Sequence, residues 1–167
     1  MTERIRSIFA AVALAAVMLW QAVPAHAATG SLSWPVRGPV IRFYEAPFSQ
    51  YSAGHRGIDI AVAYRSPVRA ASDGSVYFAG SVAGSLYVTL DHGGGLRTTY
   101  SWLSQVAVKK GDLVAAGDVI GYSGWGHPGV DPPHLHLGVR QDGEYVDPLP
   151  MLARGGLQDL IHLAPLT

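Results

Sequence analysis

The sequence predicts an all-β fold, a small antiparallel β-sandwich or barrel-like sheet that ends in a short C-terminal helical turn. Three observations carry this. Short apolar runs recur at close spacing from Trp34 to Tyr145. Turn residues punctuate them, with 20 Gly and 11 Pro in 167 residues and only 14% of the chain charged. No stretch between those two residues has a helical period, and many short strands at close spacing argue for a sandwich or barrel. The length suits one domain with a real core.

The N-terminus reads as an export signal. Arg4 and Arg6 precede an apolar run from Ile8 to Trp20, Pro24 breaks it, and Ala25-His26-Ala27 follows with small residues where a signal peptidase reads. The run is short of the ~20 residues that span a bilayer. Residues 1–27 are therefore expected to leave as a secretory signal. An uncleaved anchor extended through Ala22 and Val23 is the alternative. Either way the rest of the chain belongs outside the cytoplasm, secreted or in the cell envelope. No membrane contact is expected after cleavage. Residues 28–33 read as a linker, 34–152 as the domain and 153–167 as a tail.

Within the domain, Val68–Ala71 leads to Asp73-Gly74 and a strand over 75–80, and Asp-Gly between β-type runs signals a hairpin. A strand over 85–90 ends at Asp91-His92-Gly93-Gly94-Gly95, and another runs from Leu96 to Leu103. Val106–Val108 precedes Lys110-Gly111-Asp112, Leu113-Val114 precedes Ala116-Gly117-Asp118, and Val119–Tyr122 is a further strand. A Gly/Pro-rich loop covers Ser123 to Pro133. His134–Arg140 is a strand, turned by Gln141-Asp142-Gly143 into Tyr145-Val146. Asp147 suits a helix cap and Pro148 the first helical position, so Leu149–Ala153 makes a turn or two.

Composition excludes several function classes. The formal net charge is zero, with no basic stripe, so nucleic acid is not an expected partner. With no Cys there is no thiol nucleophile, disulfide framework or cysteine-ligated zinc. A metal would have to be held by His, Asp or Glu.

Two segments offer such ligands: His55-Arg56-Gly57-Ile58-Asp59 and His134-Leu135-His136. Residues two apart in a strand share a face, so His134 and His136 point into one space with Leu135 in the core behind them. His55 and Asp59 add a nitrogen and an oxygen. Two His and a carboxylate, with a fourth position for water, form a known catalytic zinc arrangement. Such an ion lowers the pKa of its water to about 7 and polarises a carbonyl. An isolated His-x-His pair is often incidental, and spacing alone leaves the two readings level.

The residues resemble the lysostaphin/LytM-type zinc metalloendopeptidases, which cleave peptidoglycan cross-bridges or stem peptides. The resemblance runs from about Trp34 to Leu152. It rests on His55–Ile60, Val68–Gly74, Asp91–Leu96, Lys110–Val114, Gly117–Gly121 and Pro133–Leu137. It implies an antiparallel β-fold with a groove across the metal site. One Zn2+ per chain is implied on His55, Asp59 and His136, with His134 catalytic, orienting or deprotonating the water. One departure stands out: the resemblance implies a second catalytic His where this chain has Trp102. Indole has a donor and no basic nitrogen. Losing such a group commonly costs on the order of 10²–10³ in rate. Trp102 can still donate its N–H to an oxyanion, or His127 can enter from its loop as the proton carrier. A solvent-exposed His127 is the plainer alternative, and Asp131 is a weaker candidate for the same task.

The remaining residues are assigned lesser roles. His92 reads as a hairpin residue, His162 as solvated, and His26 as lost with the signal. Trp125 is expected to line a peptide groove together with Trp102, whereas Tyr44, Tyr51 and Tyr122 read as core aromatics. Arg56 is either merely exposed or a contact for a substrate carboxylate. The expected function is a secreted zinc metalloendopeptidase acting on the peptide of peptidoglycan. The alternative is a zinc-holding but silent domain that binds peptidoglycan or regulates another wall hydrolase. A purely structural zinc site fits least, because such sites are closed by four protein ligands. Any protein partner is left open.

Overall fold

A computed structural model describes residues 31–49 and 52–152. The expected signal, the first half of the expected linker, the expected tail, Tyr51, His26 and His162 lie outside the described residues.

The regular structure of the described residues is antiparallel β-strand, apart from one helical turn. Ten strands run in order: β1 (Val40–Arg42), β2 (Ile58–Ala61), β3 (Pro67–Arg69), β4 (Gly74–Val82), β5 (Ser85–Asp91), β6 (Leu96–Val106), β7 (Leu113–Val114), β8 (Val119–Ser123), β9 (His134–Gln141) and β10 (Glu144–Val146). They form one sheet ordered β1-β2-β9-β6-β5-β4-β7, with β10 on β9 and β8 joining β6 to β3. The path does not close on itself. The expected helical turn occupies 149–152, and the Asp147 carboxylate accepts the Leu149 N–H at 3.0 Å as its cap. No helix among the described residues is long and apolar enough to cross a membrane.

The hairpin expected at Asp73-Gly74 is not formed. β3 pairs with β8, not with β4. The tight hairpin is instead β4–β5, turned by Ala83 and Gly84 with φ of 49° and 83°. Both central residues then have the positive φ that matches strand twist. Asp142-Gly143 makes the equivalent turn between β9 and β10, with φ of 53° and 90°.

The core lies on one face of the central strands. Ile58, Ile60, Leu135, Leu137 and Val139 are fully buried, and Tyr100 and Val88 join them from β6 and β5. Leu32, within the stretch read as a linker, is also fully buried. Its N–H donates to the Met151 carbonyl at 3.1 Å.

One irregularity shapes the opposite face. β6 pairs with β9 as far as Ser101, opposite His136, and from Leu103 it pairs with β8. Trp102 sits at the handover with φ 63°. The pairing with β5 steps there too, from Tyr87–Ser101 to Leu86–Leu103, so Trp102 is the extra residue of a bulge. The segment joining β8 to β9, residues 124–133, lies against it: the Gly124 N–H donates to the Trp102 carbonyl at 2.9 Å, and the His127 ring is 4.9 Å from that of Trp102.

Candidate metal centre

Register brings the two motifs together. Asp59 on β2 lies directly opposite His136 on β9, and Ala61 opposite His134. Since alternate residues share a face, Asp59, His134 and His136 project away from the core while Ile58, Ile60 and Leu135 fill it. His55 precedes β2, its backbone fixed by two 3.0 Å hydrogen bonds with Glu45. Gly57 lies between them because the backbones approach closely. A Cβ there would sit 2.3 Å from the Leu137 carbonyl oxygen and 2.8 Å from His136 Nε2.

Three donor atoms converge. His55 Nε2 is 3.1 Å from Asp59 Oδ1 and 3.0 Å from His136 Nδ1. His136 Nδ1 is 2.8 Å from Asp59 Oδ1. Ligands bound tetrahedrally at zinc distances lie about 3.3 Å apart, so this triangle has nearly the size of one tetrahedral face. Its chemistry also calls for a cation. His55 Nδ1 faces the Phe43 carbonyl at 2.7 Å, and a carbonyl only accepts, so that nitrogen carries the proton. Nε2 is then a lone pair directed at a carboxylate. Such a carbonyl brace is the usual way a ligand imidazole is oriented. Asp59 Oδ2 is buried with no hydrogen-bond partner, as is His127 Nε2. Buried polar atoms are rarely left so, and the donor set fits a divalent ion.

Asp59 is fully buried. Burial pushes its carboxyl up, but the His136 hydrogen bond and the charges of His136, His55 and His127 outweigh this and hold it below its ordinary value.

His134 is fully buried, and its tautomer is determined. Nδ1 is 2.9 Å from the Pro132 carbonyl, so it donates. Nε2 faces the site, 3.9 Å from Asp59 Oδ2, and accepts the His127 main-chain N–H at 3.0 Å.

His127 joins the cluster. Its Nε2 is 3.7 Å from Asp59 Oδ1, and His55, Asp59, His127 and His136 each place a ligand atom within 4.8 Å of the others. Burial holds His127 below its ordinary pKa, with the neighbouring imidazoles adding to it against the pull of Asp59. Its ring lies 4.9 Å from that of Trp102. The sequence offered His127 as a loop residue that enters as a proton carrier or stays in solvent; the structure turns its ring inward, among atoms that could also hold a metal. A Gly/Pro-rich loop has no period from which to read a direction. Asp131 is exposed and is not part of this group.

The cluster opens on a cleft of about 210 Å³ bounded by Arg56, Trp102, His127, His136 and Tyr145. A larger groove of about 640 Å³ shares Arg56 and Tyr145 as its wall and adds Tyr44 and Arg140. Trp102 therefore lines the cleft. Trp125 does not. It is 66% exposed and stacks on Tyr64, with ring centroids 4.8 Å apart. His92 is apart from the cluster and is a buried hydrogen-bonding residue. Its Nδ1 donates to the Asp73 carbonyl at 2.7 Å, and Nε2 is 2.8 Å from Thr98 Oγ1.

Comparison with known proteins agrees with this architecture. An uncharacterized protein of Mycobacterium tuberculosis (strain H37Rv) is 40% identical over 90% of this chain and 64% of its own. The murein hydrolase activator EnvC of Escherichia coli is 33% identical over 75% of this chain and 30% of its own. The DD-carboxypeptidase/endopeptidase Mpg of Neisseria meningitidis is 38% identical over 57% and 22%. The chain thus spans less than two thirds of these curated relatives. Among solved structures, lysostaphin from Staphylococcus simulans superposes with a TM-score of 0.66 at 30% identity, covering 84% of this chain and 62% of its own. A zinc-containing peptidase from Vibrio cholerae does so with a TM-score of 0.60 at 28% identity, covering 70% and 39%. The model of Peptidase family M23 matches residues 53–148, more than half of the chain, and the chain belongs to that family.

Proposed function

We propose that the chain is a zinc metalloendopeptidase of the cell envelope that hydrolyses peptide bonds in peptidoglycan. The observation that carries this reading is the triangle of His55 Nε2, Asp59 Oδ1 and His136 Nδ1 at the floor of a cleft. Zinc bound there would polarise a peptide carbonyl and bring the pKa of water near 7. His134 is the base in this reading, because the Pro132 carbonyl fixes its proton on Nδ1 and leaves Nε2 basic and turned toward the site. Trp102 offers an indole N–H from the cleft wall, a donor for the developing oxyanion. Trp125, exposed beyond the cleft, is a platform for the rest of the substrate. Export past the cytoplasmic membrane is supported by the Arg4/Arg6, apolar run and Ala25-His26-Ala27 order.

The second reading is a metal-holding, silent domain that binds peptidoglycan or regulates another hydrolase. Trp102 favours it, since the resemblance implies a proton-carrying His at that position. The relative in Escherichia coli is itself named an activator of murein hydrolases.

The test is release of soluble fragments from purified peptidoglycan by the zinc-loaded chain, beside His136→Ala and a chelator control. Zinc-dependent release lost in His136→Ala establishes the hydrolase. No release from a chain shown to hold one zinc moves the assignment to the silent reading.

A further inference from the structure

We propose that His127 is a fourth protein ligand of the metal held by His55, Asp59 and His136, so that the chain as folded carries a closed site. This rests on the metal reading above and adds the state in which the site is kept.

His127 Nε2 is a buried nitrogen without a hydrogen-bond partner. It faces Asp59 Oδ1 at 3.7 Å and lies within 4.8 Å of every other donor atom of the group. Leaving such an atom unpaired is costly, and a metal bond would satisfy it. Tetrahedral ligands lie about 3.3 Å apart, so a shift of about 1.5 Å closes the widest of these separations. Three protein ligands leave a position open to water or substrate, and a fourth closes it.

The same loop also occupies the base. His134 donates its Nδ1–H to the Pro132 carbonyl, so its lone pair is on Nε2, and that lone pair accepts the His127 main-chain N–H at 3.0 Å. One segment, residues 124–133, therefore blocks the open coordination position and the basic nitrogen together. Withdrawing it frees both. Two local features permit the close seating. Gly126 has φ 83°, and a Cβ there would lie 2.2 Å from His134 Cε1. Trp102, turned by its positive φ, lies against the His127 ring at 4.9 Å. Trp102 thus packs against the closed loop.

The test uses the full chain loaded with Co2+, whose visible absorption reports coordination, with azide as the probe for an open position. In the unaltered chain azide should leave the band unchanged. In His127→Ala it should shift the band. Metal affinity, read by chelator competition, should fall in His127→Ala by at least the ~10–100-fold typical of groups that only brace a ligand. An azide shift in the unaltered chain equal to that in His127→Ala, or equal metal affinities, overturns the proposal. Loss of hydrolysis in His127→Ala with undiminished affinity also overturns it and makes His127 a proton carrier. His55→Ala and Asp59→Asn separate the two levels. If they bind Co2+ like the unaltered chain, the metal reading itself fails. If they lose it while His127→Ala does not, only the fourth ligand fails.

Discussion

Asp59 Oδ1 and His136 Nδ1 face each other across the β2–β9 ladder at 2.8 Å, each on a residue whose backbone partner is the other. The ligand pair is thus set by strand register, with no loop involved. Asp59→Asn keeps the shape and removes the charge. It should lower zinc affinity by at least about 10–100-fold, measured by competition with a chromophoric chelator. The sheet should remain, as read by far-ultraviolet circular dichroism.

Metal binding should stabilise the fold. At free zinc about 100 times the dissociation constant, linkage gives about 2.7 kcal/mol. That corresponds to roughly 5–10 °C in melting temperature for a domain of this size. Scanning calorimetry with zinc and with chelator measures it. His136→Ala should show no zinc-dependent rise.

Gly57→Ala tests the close approach of β2 and β9. The added Cβ meets the Leu137 carbonyl and His136 Nε2. We expect a loss of about 1–3 kcal/mol in denaturant unfolding, with metal affinity falling in parallel because His136 is displaced.

His92 should make the fold acid-sensitive independently of the metal. Burial holds its folded pKa below the ordinary 6.5, against the pull of the Asp73 carbonyl and the Asp91 and Asp73 charges. The unfolded chain then binds more protons, so stability rises with pH. The contribution is fully present above about pH 6.5 and is lost as pH falls through the lower folded value. His92→Gln should cost about 1–3 kcal/mol near pH 7.5. It should also flatten the fall in melting temperature below pH 6.5 relative to the unaltered chain, both measured in chelator. Equal slopes would remove His92 as the cause.

Trp102→His restores the group that the resemblance implies. Histidine tolerates positive φ better than a bulky indole does. If general acid/base help is what the site lacks, fragment release should rise on the order of 10²-fold.

Much of this architecture is legible in the sequence because strand residues alternate. The His134-Leu135-His136 pattern, for example, states both the buried and the site-facing side. Pairing partners are less legible. Asp73-Gly74 looks like a hairpin, yet β3 is taken by β8, which long-range packing decides and local turn chemistry does not. The loop from Gly124 to Pro133 carries no period, so its residues do not decide between a His127 that enters the site and one that stays in solvent. The burial of His92 depends on Thr98 and on the Asp73 carbonyl, 19 positions away. Trp102 reads as an ordinary strand residue, and its left-handed backbone follows only from β6 leaving β9 for β8.

That change of partner has a consequence for time as well as shape. Asp59 and His136 hang from β2 and β9, and β9 is hydrogen-bonded along both edges, to β2 and β10 on one side and to β6 on the other. Their amides belong to the part of the molecule that exchanges with solvent last, through global opening. Residues 124–133 lie outside the ladders and can open alone at far lower cost. Frame and cover of the centre are thus expected to open on separate clocks, and any ion or peptide that the site takes would exchange on the faster one.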